Sequence, residues 1–374
     1  MAGNRNIFEE VGEKQDAPIV KKAKYVPRRA ITIWLGLIFV MLLAMITIGG
    51  LTRLTDSGLS ITEWKPVTGA IPPLSDTDWA EEFGKYQASP EFQLQNNHMS
   101  LEDFKGIFWW EWGHRLLGRM IGVVWAVGFF WFLVRKQIPT GYTGKFFNLG
   151  VLGGLQGALG WWMVSSGLTG RMVDVASYRL ALHLGLAFII LGLITWYVMS
   201  IRKSGAEMLQ ARRRREGSLM RLTTVLLVVL FAQVMLGGLV AGIDAGVSYP
   251  TWPDMAGSFF PTGAFDYMPL WSNFFENAGL VQFNHRMTGY IAFGLGMLLW
   301  WKSRKSPVAA TRGAFTVMAV MMLAQVVLGI YTVLYLAKLD IALTHQVGAV
   351  VLFVLVIRAR FNAAYPAEQK IARG

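Results

Sequence analysis

The sequence of 374 residues contains no cysteine, which excludes disulfides, thiolate metal sites and iron–sulfur clusters within the chain. Charge is also scarce, because charged residues make up only 16% of the chain while hydrophobic residues make up 54%. A soluble domain of this length would carry more charge, and its apolar runs would not reach the length of a bilayer crossing. The composition therefore predicts a membrane protein.

Eight apolar segments are long enough to cross a hydrocarbon core of about 30 Å as helices. They cover residues 31–51, 108–134, 146–165, 178–200, 221–241, 281–301, 313–335 and 341–358. The predicted fold class is therefore an all-α polytopic membrane protein with eight transmembrane helices.

The net charge of +12 is unevenly distributed along the chain. Basic residues gather in the N-terminal arm, in residues 202–221 and in the turns near 135–145 and 302–312, whereas acidic residues gather in two long loops. The positive-inside rule then places both termini in the cytoplasm and both loops outside, which we call the first outer loop (52–106) and the second outer loop (242–280). Because the N-terminal arm is too acidic for a mitochondrial presequence, we expect a bacterial inner membrane. The basic residues then contact anionic lipids of the bilayer, and no nucleic-acid partner is expected.

An internal duplication organises the chain. Gly49-Gly50-Leu51 recurs as Gly237-Gly238-Leu239 at an offset of 188 residues, and the Asp-x-Gly-x-Ser sequence that begins at Asp56 recurs from Asp244 at the same offset. His114-Arg115 matches His285-Arg286, and His183 matches His345. Each repeat holds four segments, so both halves enter the membrane in the same direction, and a pseudo-two-fold axis along the membrane normal should relate them. We expect two four-helix bundles, 31–210 and 211–358, with a cytoplasmic arm (1–30) and tail (359–374).

Four of the five histidines lie at one depth, near the outer ends of the second, fourth, sixth and eighth segments. They are His114, His183, His285 and His345. An ionisable imidazole inside a membrane is costly, and a facing pair within each bundle suits the axial ligation of haem iron. Hydrogen bonds to helix neighbours are the structural alternative. Copper or zinc is disfavoured, because the pairs belong to separate bundles and no carboxylate or thiolate completes a cluster, so no metal other than haem iron is expected.

Glu111 breaks the symmetry between the two halves. It lies three residues before His114, on the same helix face, and its repeat counterpart Gln282 is neutral. A carboxylate beside a haem can relay protons, hydrogen-bond a reacting group or stabilise positive charge, and the alternative is an ion pair with Arg115. Arg115 and Arg286 are candidate contacts for haem propionates, or anchors of their helices at the interface. The asymmetry predicts that one haem site does chemistry and the other supports it.

Three further features carry weaker predictions. A glycine stripe in the third segment, consisting of Gly153, Gly154, Gly157 and Gly160, predicts close helix packing. Gln156 and Gln325 are expected to form buried hydrogen bonds between helices. The two outer loops are long and rich in tryptophan, so we expect them to cover the outer mouths of the bundles.

Two stretches resemble a known family. Residues 49–73, reading GGLTRLTDSGLSITEWKPVTGAIPP, are similar to the first outer loop of haem A synthases of the proteobacterial and mitochondrial type. Residues 103–115, reading DFKGIFWWEWGHR, resemble the glutamate–histidine motif of that family, although Asp103 stands where glutamate is common. The resemblance extends from about residue 30 to 358 and includes all four helix histidines. Another branch of the family carries a cysteine pair in the first outer loop, so this chain resembles the cysteine-free branch.

The resemblance implies an enzyme that oxidises the C8 methyl group of haem O to a formyl group, giving haem A by two hydroxylations and loss of water. It implies that His285 and His345 bind a haem b cofactor, while His114 and His183 flank the substrate haem beside the catalytic Glu111. The implied partners are the farnesyltransferase that makes haem O and a terminal oxidase subunit or assembly factor that accepts haem A; the electron donor stays open. A b-type electron carrier with two haems is the main rival, and a transporter with parallel repeats is the third class.

Overall fold

A computed structural model describes residue 26 and residues 28–170 and 172–368. This part of the chain forms thirteen α-helices and two 3₁₀ turns, and it contains no β-strand. Most of the predicted N-terminal arm and the end of the tail lie outside the described residues. The prediction of an all-helical chain is confirmed.

Eight of the helices are 25 residues or longer, and each coincides with one predicted apolar segment. They are α1 (Arg28–Leu54), α4 (Leu101–Val134), α5 (Thr143–Gly167), α6 (Ser177–Ile201), α8 (Gly217–Gly242), α11 (Ala278–Ser303), α12 (Ala309–Leu334) and α13 (Leu339–Ala364). Six of them, α1, α4, α6, α8, α12 and α13, are long and apolar enough to cross a membrane. The two others are long but less apolar, since α5 is rich in glycine and α11 begins with several polar residues. The structure therefore confirms a multi-pass helical membrane protein.

The connections between the long helices are themselves folded. They contain α2 (Asp76–Gln87), α3 (Pro90–Leu94), α7 (Gly205–Arg213), α9 (Ala245–Ser248) and α10 (Asn273–Glu276), with 3₁₀ turns at Thr68–Ala70 and Leu270–Ser272. Reciprocal capping boxes begin three of the helices: Ser75 with Asp78 in α2, Ser100 with Asp103 in α4, and Ser204 with Glu207 in α7. Each box satisfies backbone N–H groups that a helix start leaves without partners. We call the helix ends that join the two outer loops the outer ends.

Within each half of the sequence, the long helices pack against one another. In the first half α1 and α5 each pack on both α4 and α6, and in the second half α8 and α12 each pack on both α11 and α13. Between the halves, α6 packs on α8, α1 packs on α13, and α6 contacts α13. Fully buried side chains such as Leu191, Leu226, Phe315 and Val356 fill the junction of α6, α8, α12 and α13. Tight packing of this kind holds helices together in a membrane, where apolar burial drives little association.

The predicted packing role of the glycine stripe in α5 is wrong for three of its four members. Gly153, Gly154 and Gly157 are exposed, and a methyl group added at any of them would meet no atom within 4 Å. The reason is that no neighbouring helix comes close to α5 at the positions of these three residues. Gly160 lies two turns after Gly153, at a level where His183 packs against α5.

Candidate haem site

The four helix histidines come from helices that face each other across a half. His114 lies on α4 and His183 on α6, and both helices pack on α1 and α5. His285 on α11 and His345 on α13 stand in the same relation to α8 and α12. His114 is close enough to His183 for their charges to interact, and the same holds for His285 and His345. The fold therefore brings the members of each predicted pair together.

Each histidine ring packs against a glycine of a neighbouring helix, an arrangement we call a glycine seat. A Cβ atom at Gly49 would lie 3.2 Å from Nε2 of His114, and one at Gly160 would lie 2.9 Å from Cε1 of His183. In the second half the corresponding separations are 3.2 Å from Gly237 to Cε1 of His285 and 3.3 Å from Gly329 to Cε1 of His345. The separation at Gly160 is too short for a side chain without a shift of the ring, and the other three are tight enough that a side chain would displace the ring by a few tenths of an ångström.

The seats follow the repeat but were not predicted from the sequence. Gly49 and Gly237 belong to the repeated Gly-Gly-Leu sequence, and Gly160 and Gly329 recur at the same offset as Gln156 and Gln325. From the sequence, Gly160 is predicted to serve helix packing, and no role is predicted for Gly329. The sequence does contain a signal for them: for each pair of equivalent histidines, a glycine also recurs at equivalent positions of the two repeats.

The surroundings of the imidazoles fit a haem ligand. Each of the four histidines is half-buried. The Nδ1 atoms of His285 and His345 are buried and have no hydrogen-bond partner in the part of the chain that the structure describes. Buried polar atoms normally have partners, so these two ring nitrogens fit residues that would hold a haem. Among the described residues no group of three or more His, Cys, Asp or Glu side chains could hold a metal ion.

Glutamines orient two of the rings. Nε2 of Gln156 lies 3.2 and 3.3 Å from the two ring nitrogens of His183 and donates to its backbone oxygen at 3.0 Å, so the predicted bond between helices is confirmed. Nε2 of Gln233 lies 3.2 Å from Nε2 of His285. The corresponding prediction for Gln325 is wrong for its amide nitrogen, which is buried against α13 without a hydrogen-bond partner in the described chain.

Glu111 is buried, with 3% of its surface exposed, and both of its oxygens are saturated. One oxygen accepts hydrogen bonds from the Ser60 hydroxyl at 2.7 Å and from the Ile61 backbone N–H at 2.8 Å. The other accepts from Arg115, from Nε at 3.0 Å and from Nη2 at 2.6 Å. The ion pair considered from the sequence therefore exists, and it is combined with two donors from the first outer loop. Four hydrogen bonds, two of them from the cationic Arg115, hold this carboxylate in a single orientation.

The equivalent position in the second half holds an amide. Gln282 is equally buried, and its Oε1 accepts from Nη2 of Arg286 at 3.1 Å, while its Nε2 has no partner among the described residues. The two halves thus share a scaffold in which an arginine bonds to the side chain one turn before it. Only the first half places a carboxylate there.

Arg115 and Arg286 each donate hydrogen bonds to backbone oxygens of an outer loop. Arg115 donates to the carbonyl oxygens of Ile61 at 2.8 Å and Glu63 at 3.1 Å, and Arg286 donates to those of Tyr249 at 2.8 Å and Asp254 at 2.9 Å. Ile61 and Tyr249 are themselves equivalent in the repeat. These contacts support the anchoring interpretation of both arginines. A propionate contact stays a prediction, for which Nε of Arg286, which has no hydrogen-bond partner among the described residues, is a candidate donor.

The first outer loop is attached firmly above Glu111. Trp79, Tyr86 and Ile61 pack with Phe104 and Phe108 of α4 in one buried cluster. On its surface Glu63 pairs with Lys65 at 2.7 Å and Lys85 at 2.8 Å, and hydrogen bonds from these lysines hold the pKa of Glu63 below its usual range. The loop is therefore a folded cover on the outer end of α4.

These observations define a class: a multi-pass helical membrane protein with two facing histidine pairs, one of which lies beside a buried glutamate. Residues 32–357 match the model of the cytochrome oxidase assembly protein family, COX15-CtaA. The chain is 56% identical to the heme A synthase of Dinoroseobacter shibae, over 98% of this chain and 97% of that protein. It is 53% identical to the heme A synthase of Roseobacter denitrificans and 52% identical to that of Paracoccus denitrificans, over 98% of each chain in both comparisons. The chain belongs to the heme A synthase family, as the resemblance of its motifs predicted.

Proposed function

We propose that this protein is a haem A synthase, an oxidoreductase that converts the C8 methyl group of its substrate, haem O, to the formyl group of haem A. The observation that carries the proposal is the saturated, buried carboxylate of Glu111 beside one histidine pair, opposed to the amide of Gln282 beside the other. Two identical electron-carrying sites would have no need for this difference. Membership of the family supports the same activity.

The two halves divide the work in this proposal. His285 and His345 hold haem b in the C-terminal half, and His114 and His183 flank haem O in the N-terminal half. When bound, haem b supplies one-electron chemistry that no side chain of this chain offers. The equivalent glycine seats support a similar site at each histidine pair, and the difference between Glu111 and Gln282 supports the assignment of substrate to the first half.

The residues around Glu111 give it a defined task at the substrate. Ser60, the Ile61 N–H and Arg115 fix the direction of its carboxylate, so it needs no reorganisation during the reaction. A carboxylate held in this way can stabilise positive charge that develops on the reacting group, and it can accept a proton from that group once the hydrogen bond from Ser60 or Ile61 opens. The cover formed by the first outer loop excludes water from this end of the site.

The same proposal includes the arrangement in the membrane. Eight crossings, with α5 and α11 included, form two four-helix bundles related by a pseudo-two-fold axis along the membrane normal. The equivalent contacts of α1 with α13 and of α8 with α6 support this symmetry, as do the equivalent loop contacts of Arg115 and Arg286. Both termini then lie in the cytoplasm and both haem sites lie toward the periplasm. Haem O arrives from its farnesyltransferase, and haem A passes to a terminal oxidase subunit or assembly factor.

The test is extraction and chromatography of haems from cells that express the chain together with a haem O source. The wild type should produce haem A. Glu111→Gln keeps the shape and removes the negative charge, so haem A formation should fall on the order of 100-fold or more, with haem O or the alcohol intermediate accumulating. Glu102→Gln, the same change at an exposed position of α4, is the matched control and should leave haem A formation intact.

A b-type electron carrier gives a different result in the same experiment. It would bind haem and transfer electrons in both variants, and the wild type would contain no haem A. Persistent haem O as the only product of the wild type would overturn the proposed function.

A further inference from the structure

The arginine at the end of α1 connects the two halves of the molecule. Arg53 is largely buried, with 11% of its side chain exposed, and its Nε donates to the backbone oxygen of Ala241 in α8 at 2.9 Å. Ala241 is the residue that occupies the position of Arg53 in the second repeat. The hydrogen bond therefore joins α1 and α8 at equivalent positions, and only the first half supplies the arginine.

Three aspartates from different loops surround the same guanidinium group. Arg53 Nη1 lies 2.7 Å from Asp56 Oδ1, Nη2 lies 2.6 Å from Asp244 Oδ2, and Nη1 lies 3.6 Å from Asp174 Oδ1. Asp56 and Asp244 are equivalent in the repeat, and both have a left-handed backbone, with φ of 46° and 51°. Such a backbone is uncommon for residues other than glycine and persists where surrounding contacts hold it. We call Arg53 and these three aspartates the inter-half clasp.

The clasp lies one helical turn beyond a glycine seat on each side. Arg53 follows Gly49, the seat of His114, by four residues, and Ala241 follows Gly237, the seat of His285, by four residues. Asp174 precedes α6, which carries His183. A displacement of α1 against α8 would therefore move both seats relative to each other.

We propose that Arg53 is a positioning residue that sets the placement of the substrate half relative to the cofactor half. The proposal rests on the proposed function, because it assumes that the haem b of one half exchanges electrons with the substrate of the other. Arg53 suits this task since its planar group binds two equivalent carboxylates and a backbone oxygen in one fixed geometry, which the rotating ammonium group of a lysine would not impose. A small displacement between reacting groups can cost on the order of 100-fold in rate, so a modest loosening of the clasp should be measurable.

The first experiment compares Arg53→Gln with Arg119→Gln in the full-length protein with its haem b. Arg119 is the matched control, because it also donates to loop carbonyls, those of Lys65 and Pro66, but only within the first half. Spin labels on Glu102→Cys in α4 and Asp340→Cys in α13 report the distance between the halves, and the absence of native cysteine keeps the labelling specific. We expect Arg53→Gln to retain the haem b spectrum, to broaden or shift this distance, and to lower haem A formation by roughly tenfold or more. Arg119→Gln should leave the distance unchanged.

A rescue experiment distinguishes the positioning role of Arg53 from an effect of its charge. Arg53→Cys combined with Asp244→Cys, joined by a short bis-maleimide, restores the connection between the halves without the ion pairs. Recovery of haem A formation on cross-linking would support the positioning role, whereas complete cross-linking without recovery would overturn it. If Arg53→Gln does not fold, Asp244→Asn removes one partner of the clasp and should give a smaller change of the same kind.

An unchanged distance and unchanged haem A formation in Arg53→Gln would also overturn the proposal. If the wild type makes no haem A at all, the proposed function fails. The distances between spin labels still report in that case whether Arg53 holds the halves together, so the two failures are distinguishable.

Discussion

At the scale of single residues, each histidine depends on a neighbouring glycine, whose missing side chain leaves room for the imidazole ring. The four imidazoles could be predicted from the sequence, because a histidine within an apolar segment is conspicuous and the repeat sorts the four into pairs. Their glycine seats are harder to predict, since a glycine in a membrane helix has many uses and only its recurrence at equivalent positions of the repeat points to a seat. Gly153 and Gly160 lie two turns apart on α5, and only the tertiary contact with His183 distinguishes them.

That difference gives a matched pair of variants. In Gly160→Ala the new methyl group would lie 2.9 Å from Cε1 of His183 and must push the ring aside. We expect the affinity for haem O to fall by roughly tenfold or more, as is usual when the support of an iron ligand is changed. Gly153→Ala meets no neighbouring atom, so it should leave affinity unchanged and stabilise the helix by up to about 1 kcal/mol.

Optical titration of both variants with haem O measures the affinities, and thermal unfolding measures the stabilities. Equal affinities in the two variants would show that the seat does not hold the ring of His183.

At the scale of helices and loops, the first outer loop contains a segment that forms α2 and α3 and covers the outer end of α4. This segment contains a buried acid, Glu91, with 2% of its surface exposed and with an oxygen, Oε2, that has no hydrogen-bond partner among the described residues. Burial raises the pKa of Glu91 to about 8; a hydrogen bond with Tyr86 opposes the rise, and the negative charges of Glu111, Asp174 and Asp56 add to it. The sequence predicted a cover here but not its helices, because α3 is too short to produce a periodic pattern.

The raised pKa makes the attachment of this cover depend on pH. The folded state favours the protonated carboxyl of Glu91, so its contribution to stability is present in full below the ordinary pKa of 4.5. The contribution declines as the pH rises from there through about 8, because the unfolded segment releases the proton first. Glu91→Gln cannot ionise and should reduce this decline.

Thermal unfolding in mild detergent between pH 5 and pH 9 tests the effect. The stability of Glu91→Gln relative to wild type should increase with pH, while Glu81→Gln, an exposed acid of α2, should follow the wild type. Parallel curves for wild type and Glu91→Gln would contradict the burial of a protonated acid at this position.

At the scale of the whole molecule, the distribution of charge predicts which side of the membrane each loop faces. Because the chain has no cysteine, single cysteines can report this directly. Leu74 in the first outer loop and Met268 in the second are highly exposed, and Leu209 in α7 is an exposed residue of the basic connection between the halves. In intact cells whose outer membrane is permeabilised, an impermeant maleimide should label Leu74→Cys and Met268→Cys but not Leu209→Cys.

Membrane disruption should make the Leu209→Cys variant reactive as well, which controls for its accessibility. Labelling of Leu209→Cys in intact cells, with protection of the two others, would reverse the proposed orientation. The same experiment bears on α5, because α4, α5, α6 and α8 lie between the two long loops, and placing both loops on one side requires an even number of crossings there.

The sequence alone determined the long helices, the pairing of the histidines and the difference between Glu111 and Gln282. These are properties of apolar run length and of a repeat, and both can be recognised from residue type and spacing. The tertiary structure decided which partner each polar group meets: Glu111 bonds to Ser60 and Ile61, about fifty residues earlier, and Arg53 bonds across the repeat to Ala241 and Asp244. Such contacts depend on how loops that are distant in sequence fold over the helix ends, and no local pattern records that. The two halves, and the carboxylate that distinguishes them, are therefore recognisable in the sequence, while their connection is visible only in the fold.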